Sequence, residues 1–452
     1  MAACLFIEIL DGTIVTTSAP QIAASLMVSI PAIGLVVTAY LITLAVFIPL
    51  SGWLVTRFGT RRIFLTAIAV FTLASLLCAT SVGLGELVAL RVLQGIGGAM
   101  MVPVGRLAVL GGAAKADIMR LVSFIVWPAL VAPVIAPLAG GIITTYAGWR
   151  WLFVINIPLG AAAFTAALRL VPDTPRGEAP QLDWLGVLLT CTGLGGLTYA
   201  ASMAASPAPH WRLVVLLAAA SLAALVTTVW HLRRTPHPLI DLSTLRIPTF
   251  RTSVGTGALF YLAIASVPFL LPLQFETAFG WSAIKAGAVV LCLFAGNIGI
   301  KPVVSALVNR FGFRTLLTAT DCALAASMAC LGVFTRSTPL LLVAVVAVLS
   351  GVFRSIGGTS YNTLIFSDVP ASQMPHANGL AATVQQLSLG LGVAVASVAI
   401  RIGASTGSVL PGPPRLSDQY TVAFLIMAVL PLLAAAGARR LHSDAGNAVR
   451  NS

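Results

Sequence analysis

The chain has 452 residues, of which 58% are apolar and only 9% charged. A soluble domain carries about a quarter charged residues, so a string of soluble domains is excluded and a chain of membrane helices is indicated. The formal net charge is +13, but the basic residues fall in short loops with no aromatic-interleaved patch, so no nucleic-acid partner is expected.

Residues Met1 to Leu10 lack a basic stretch and contain Glu8, so no cleavable signal peptide is expected there. Apolar runs long enough to cross a bilayer then recur along the whole chain. Their rough limits are 3–20, 33–55, 63–82, 86–109, 119–144, 150–171, 184–205, 211–231, 252–275, 284–307, 315–334, 338–363, 378–401 and 420–438. That predicts an all-α membrane protein of about fourteen spans. The six cysteines (Cys4, Cys78, Cys191, Cys292, Cys322, Cys330) all lie inside predicted spans and have no metal-site spacing. The histidines lie at span ends or in loops, which argues against a histidine proton relay. No metal and no cofactor is expected.

The turn after the second run reads Leu54-Val55-Thr56-Arg57-Phe58-Gly59-Thr60-Arg61. It returns as Leu307-Val308-Asn309-Arg310-Phe311-Gly312-Phe313-Arg314, identical at six of eight positions and 253 residues later. A period this long marks two related halves of one membrane protein rather than a solenoid. Leu93-Gln94-Gly95 echoes as Leu349-Ser350-Gly351 at nearly the same offset, 256 residues. The first basic turn follows the second run and its echo follows the tenth, so two extra spans sit between the halves. The expected divisions are a six-helix bundle over 1–171, two linker spans with their loops over 172–251, and a second six-helix bundle with a basic tail over 252–452.

Basic residues set the orientation. Placing Arg57, Arg61 and Arg62 in the cytoplasm also places there Lys115, Arg120, Arg169, Arg176, Arg233, Arg234, Arg246, Arg251, Arg310, Arg314, Arg439, Arg440 and Arg450. The opposite loops keep only Arg150, Arg212, Lys285, Arg336, Arg401 and Arg415. The positive-inside rule then puts both termini in the cytoplasm.

Five stretches in order resemble one family. They are Leu10-Asp11-Gly12-Thr13-Ile14-Val15 with Ala19-Pro20; Gly52 through Arg62; Arg91 through Gly98; Ala136-Pro137-Leu138-Ala139-Gly140-Gly141; and Trp149 through Pro158. Together they resemble the fourteen-span drug:proton antiporters (EmrB/QacA type) of the major facilitator superfamily. That resemblance implies two six-helix bundles related by a pseudo-twofold axis, plus two central helices, and a multi-pass inner-membrane protein. The family pattern has Asp where Thr56 stands and Gly where Ala136 stands. The first departure argues against a charge relay in the turn, leaving Gly52, Arg57, Gly59, Arg61, Arg62, Arg310, Gly312 and Arg314 as a cytoplasmic gate and hinge.

Asp11 and Glu8 share a helix face, with Asp11 near mid-span. A carboxylate there costs roughly 2.5–3.5 kcal/mol on insertion scales, so it must be paired, protonated or wet. The functional reading is a site for a proton or a cationic substrate, with Asp11 foremost; the structural alternative is a bond to a neighbouring helix. On the functional reading, Asp11→Asn stops proton-driven export and leaves folding intact. Arg91 cannot deprotonate and would pair with Asp11 or Glu8. Gln94 and Arg354 are further cavity candidates, as are Asn362, Gln385 and Gln386, although bonding between helices is the commoner fate of such amides. Lys301 lies seven residues before Val308 and Asp321 seven after Arg314. Antiparallel neighbours would place both roughly 10 Å deep, which predicts an intramembrane ion pair. Pro133, Pro137, Gly140 and Gly141 would permit a kink and close packing in the fifth span.

No GxxxxGK[ST] loop occurs, so ATP is not the energy source within this chain. The function these features imply is a proton-coupled secondary transporter exporting small amphiphilic or drug-like compounds, and not an enzyme. The expected partners are a small-molecule substrate, protons and the lipid bilayer, with the chain acting as a monomer. Export of one specific metabolite, or a non-transporting membrane receptor, remains open on the same fold.

Overall fold

A break at Ile300 sets the tone of the architecture: long apolar helices interrupted where proline lacks a backbone donor or glycine permits a positive φ. The computed structural model describes residues 1–28, 30–110, 121, 132, 135, 139–140, 142–144, 146–172, 181–205, 209–236, 238, 240–281, 283–370, 373–406, 418–442 and 444–446. Among these every regular element is helical. Eleven helices are long and apolar enough to cross a membrane, and a bent pair, 285–299 with 301–311, makes a twelfth across a 54° kink. Pro302 in the first turn of the second piece accounts for the kink. Two of the fourteen expected segments stand apart from this count. The first folds as Ala2–Thr17 (16 residues) followed by Ala19–Leu26, and 119–144 lies mostly outside the described residues. Pro133, Pro137 and Gly141 fall outside them too; the buried Gly140 carbonyl accepts a bond from Thr144 Oγ1.

The repeated turn has the same geometry in both copies. Gly59 (φ 85°, ψ 149°) separates Ser51–Phe58 from Thr60–Thr80, and Gly312 (φ 74°, ψ 160°) separates Lys301–Phe311 from Phe313–Val333. Only glycine occupies that region of backbone space without strain. In the first copy, Arg61 reaches back and donates to the Leu168 carbonyl at 2.6 Å, at the end of Asn156–Leu170. Thr56 turns inward on its own helix, bonding the Gly52 carbonyl at 3.0 Å. Arg57, Arg62, Arg310 and Arg314 are exposed.

The second echo also has a physical meaning. Leu84–Leu110 packs on Ile30–Phe47, and Leu340–Ser367 packs on Ala283–Gly299. A Cβ on Gly95 would lie 2.7 Å from Thr43 Cβ, and one on Gly351 would overlap the Leu293 carbonyl oxygen. The two glycines therefore mark the same helix crossing in each half, where backbones touch.

The two candidate linker helices, Trp184–Ala205 and Trp211–Arg234, pack against each other. The hairpin is pinned by His231 Nε2 and Asp183 Oδ1 at 2.8 Å. The first also lies against Ile30–Phe47 and Met374–Thr406. The second exposes Leu216, Val226 and Trp230, a surface that suits lipid and would be unusual in water. Lys285, Arg150 and Arg401 stack over Trp281, Trp149 and Trp211 at 3.8, 4.5 and 5.3 Å. Such cation–aromatic pairs at helix ends are typical of headgroup depth.

The crossing at Gly351 leads to a stability prediction. Gly351→Val is expected to lose folded, monodisperse protein in detergent, beyond the 1–3 kcal/mol usual for overpacking, because the obstacle is backbone. Gly255→Ala, where a Cβ meets nothing within 4 Å, should behave as the parent. Size-exclusion profiles of fluorescently tagged variants compare them directly.

Candidate functional site

Asp11 sits in the middle of a buried polar cluster drawn from five helices. Arg91 Nη1 donates to Asp11 Oδ2 at 2.5 Å, while Asp11 Oδ1 accepts from Gln94 Nε2 at 3.0 Å and Asn156 Nδ2 at 2.8 Å. The network extends outward. Gln94 Oε1 accepts a second bond from Arg91 Nη1 at 2.8 Å, and Asn156 Nδ2 also reaches Ser75 Oγ at 3.0 Å. Ser75 in turn donates to the Phe153 carbonyl at 3.0 Å. The Arg91 guanidinium lies 4.2 Å from the Tyr40 ring centroid. Asp11 is 1% exposed and Arg91 and Gln94 0%. Two charges taken out of water are tolerated only with this density of further bonds. The spacing helps: Arg91 and Gln94 are three residues apart on one helix, so both face the same carboxylate.

A cavity of about 350 Å³ lies elsewhere, bordered by helices from both halves of the chain. Glu8 and Arg106 face it from Ala2–Thr17 and Leu84–Leu110. Lys301, Arg354 and Asn297 face it from the second half, and Gln385 and Gln386 from Met374–Thr406. Leu5, Ile9, Phe294 and Leu389 supply apolar wall. Glu8 Oε2 is buried with no hydrogen-bond partner. Asn362, also on the wall, donates to Tyr261 Oη at 2.7 Å. Phe260 is a core ring, packed 5.2 Å from Tyr361.

Two expectations change here. Asp11, Arg91 and Gln94 come together, yet none of them borders the cavity; of the two acidic candidates only Glu8 does. Lys301 and Asp321 form no ion pair. Lys301 Nζ donates to Thr359 Oγ1 at 2.6 Å, whereas Asp321 Oδ2 accepts from Tyr361 Oη at 2.7 Å. Their partners, Thr359 and Tyr361, lie on different flanks of Leu340–Ser367. Residues 359 and 361 are two positions apart, about 200° around that helix. Arg354 does border the cavity, and its Nη1 donates to the Ile264 carbonyl at 2.5 Å. Pro268 has no N–H to offer that carbonyl, so Arg354 satisfies a bond the proline leaves open.

Arg106, Asn297, Ser355, Thr359, Asn156 and Ser75 escaped the sequence reading. Arg106 carried a usable signal, a charge inside an apolar run. Asn156 sat inside the Trp149–Pro158 stretch without a role. Asn297, Ser355 and Thr359 are ordinary residues for a membrane helix and became notable only when brought together.

A family model described as Major Facilitator Superfamily matches residues 1–393 and 255–450. Similar proteins include those named putative multidrug resistance protein MdtD. The one from Cronobacter sakazakii is 39% identical over 398 residues, covering 87% of this chain and 83% of its own. The one from Klebsiella pneumoniae is 36% identical over 449 residues, covering 98% and 93%. Among solved structures, the human organic anion transporter MFSD10 aligns with a TM-score of 0.68 at 13% identity over 97% of each chain. The proton:xylose symporter XylE, bound to 6-bromo-6-deoxy-D-glucose, aligns at 0.64 and 14% identity, covering 96% of this chain and 93% of its own. Identities this low speak to fold alone.

The cluster alters what Asp11→Asn should do. Leaving Arg91 buried without its carboxylate is expected to cost about 3–5 kcal/mol, so this variant should lose thermal stability as well as function. Asp11→Asn combined with Arg91→Gln should recover part of that loss, because no charge is then stranded. Melting curves of the purified single and double variants test this; equal stability of Asp11→Asn and the parent would contradict it.

Proposed function

The chain belongs to the major facilitator superfamily and is a multi-pass membrane protein with that family's fold, and on this premise we propose that it exports small amphiphilic or drug-like compounds in exchange for protons. Relatives named multidrug resistance proteins cover most of the chain and support that substrate class. The observation that carries the reading is the cavity bordered by both halves, with an unbonded carboxylate oxygen of Glu8 on its wall. A transporter that alternates access needs a ligand site at the seam between its moving halves, and a group there that can gain and lose a proton.

Glu8 is assigned the exchanging proton, and Asp11 is assigned to the adjoining structural pair. The two differ in their bonds: Asp11 receives three donors, and protonating it would strand Arg91. Glu8 lies in electrostatic reach of Arg106 and of Asp11, so its charge state is felt both at the cavity and at the cluster. One positive charge moving inward across 100 mV contributes about 2.3 kcal/mol, before any pH difference.

The proposed setting is the inner membrane with both termini cytoplasmic, as the basic loops imply. Six helices, two linker helices and six more form the proposed plan. The two glycine turns at Gly59 and Gly312, with their exposed arginines, are assigned to the cytoplasmic gate. The chain works as a monomer, with no nucleic-acid partner.

Reconstituted vesicles with a trapped pH-sensitive dye test this assignment. Glu8→Gln should abolish substrate-dependent proton movement and keep substrate–substrate exchange across the same vesicles, since exchange needs no proton. Proton movement at the parent's rate in Glu8→Gln would refute the role of Glu8; its absence from the parent protein would refute the antiport reading itself.

A further inference from the structure

The cavity is unevenly charged. Arg106, Lys301 and Arg354 face it with Glu8 as the lone carboxylate among its described lining. Among the described residues the ion pairs are Arg91–Asp11 and His231–Asp183, so none of the three cavity cations is salt-bridged. Lys301, only 5% exposed, donates to the neutral hydroxyl of Thr359, and Arg354 donates to the neutral carbonyl of Ile264. Buried cations normally have an anion close by, because a hydroxyl or carbonyl offsets only part of the lost hydration.

Two neutral groups stand beside them. Asn297 borders the cavity at 1% exposed, and neither its Nδ2 nor its Oδ1 has a hydrogen-bond partner. Ser355, at 3%, presents an unpartnered Oγ one residue along from Arg354. Native interiors rarely leave such atoms unbonded. Here an amide donor, a hydroxyl donor, an ammonium and a guanidinium all border one apolar-walled space.

We infer that the cavity selects organic anions, compounds carrying a carboxylate, sulfonate or phosphate on an apolar body. Lys301 and Arg354 take the charged oxygens, Asn297 and Ser355 add neutral donors, and the apolar wall takes the body of the molecule. The guanidinium offers a two-pronged contact to an oxyanion that an ammonium alone cannot. A cationic amphiphile would instead meet a net positive site even with Glu8 ionised. This inference rests on the export reading only for the direction of movement; selection at the cavity is a separate property. Export of an anion from a negative interior is assisted by the membrane potential, which would then act on cargo and proton alike.

Three probes of similar size separate the possibilities: 1-naphthaleneacetate, its neutral amide, and (1-naphthylmethyl)trimethylammonium. Binding to the purified full-length protein is followed by quenching of tryptophan fluorescence. The anion should bind about tenfold or more tighter than the other two, the scale of one charge-assisted hydrogen bond. Lys301→Gln and Arg354→Gln should each erase most of the difference between anion and amide, with the amide still bound, and Lys301→Arg should retain that difference. Equal binding of all three probes, no binding of the anion, or a preference untouched by Lys301→Gln and Arg354→Gln would overturn the inference. Anion preference without proton exchange would remove the antiport reading and leave the selectivity standing; proton-driven export that favours the cation would do the reverse.

Discussion

The buried pair between Arg91 and Asp11 is the constraint around which the first half is arranged. In a low-dielectric interior two opposite charges attract strongly, yet each has lost its water, so the pair needs further hydrogen bonds to its remaining donors and acceptors. Gln94, Asn156 and the Tyr40 ring meet most of that requirement. They come from Leu84–Leu110, Asn156–Leu170 and Ile30–Phe47, so the electrostatics of one carboxylate dictates how several helices must stand. A helix that shifted out of register would break more than one bond at once. The cluster is therefore better suited to act as a rigid pivot than as a group that changes charge during a cycle.

With Asp11 so occupied, the proposed proton exchange is assigned to the cavity, where Glu8 Oε2 has no hydrogen-bond partner. Glu8 and Asp11 are three residues apart, one turn of the same helix, yet one meets the cavity and the other the pivot. That arrangement couples them physically: a charge change at Glu8 is felt by a helix whose next turn is anchored to Arg91. The second half uses a different device. Arg354 takes up the carbonyl that Pro268 leaves open, and Lys301 stands just past a proline-induced kink. Broken helices at a ligand cavity are common in transporters, because irregular backbone is tolerated where it is buried in protein or lines polar space. The two halves share their glycine turns and crossings but not their charges.

Much of the plan was legible from residue order. The turn at Gly59 and its echo at Gly312 have one backbone conformation, and Gly95 and Gly351 mark equivalent helix contacts. Both are cases where a missing side chain is the whole requirement, and a missing side chain is visible in any sequence. The pairing of Asp11 with Arg91 was anticipated because a charge in an apolar run must find an opposite charge. The pairing of Lys301 with Asp321 failed on the same logic. Each bonds a different flank of one neighbouring helix, and rotation about a helix axis leaves no mark on spacing along the chain.

By itself the sequence determined the class of protein, the recurrence of its two halves and the charged residues that had to be explained within the membrane. Hydropathy, glycine positions and charge are properties of single residues or of short runs, so they survive without coordinates. Tertiary structure alone decided which of those charges oppose each other and which are left facing a cavity. It placed Glu8, rather than Asp11, on the cavity wall, and brought Asn297, Ser355, Lys301 and Arg354 to one space from separate parts of the second half. Contacts of that kind depend on how helices rotate and cross, and the packing of the whole molecule sets those angles.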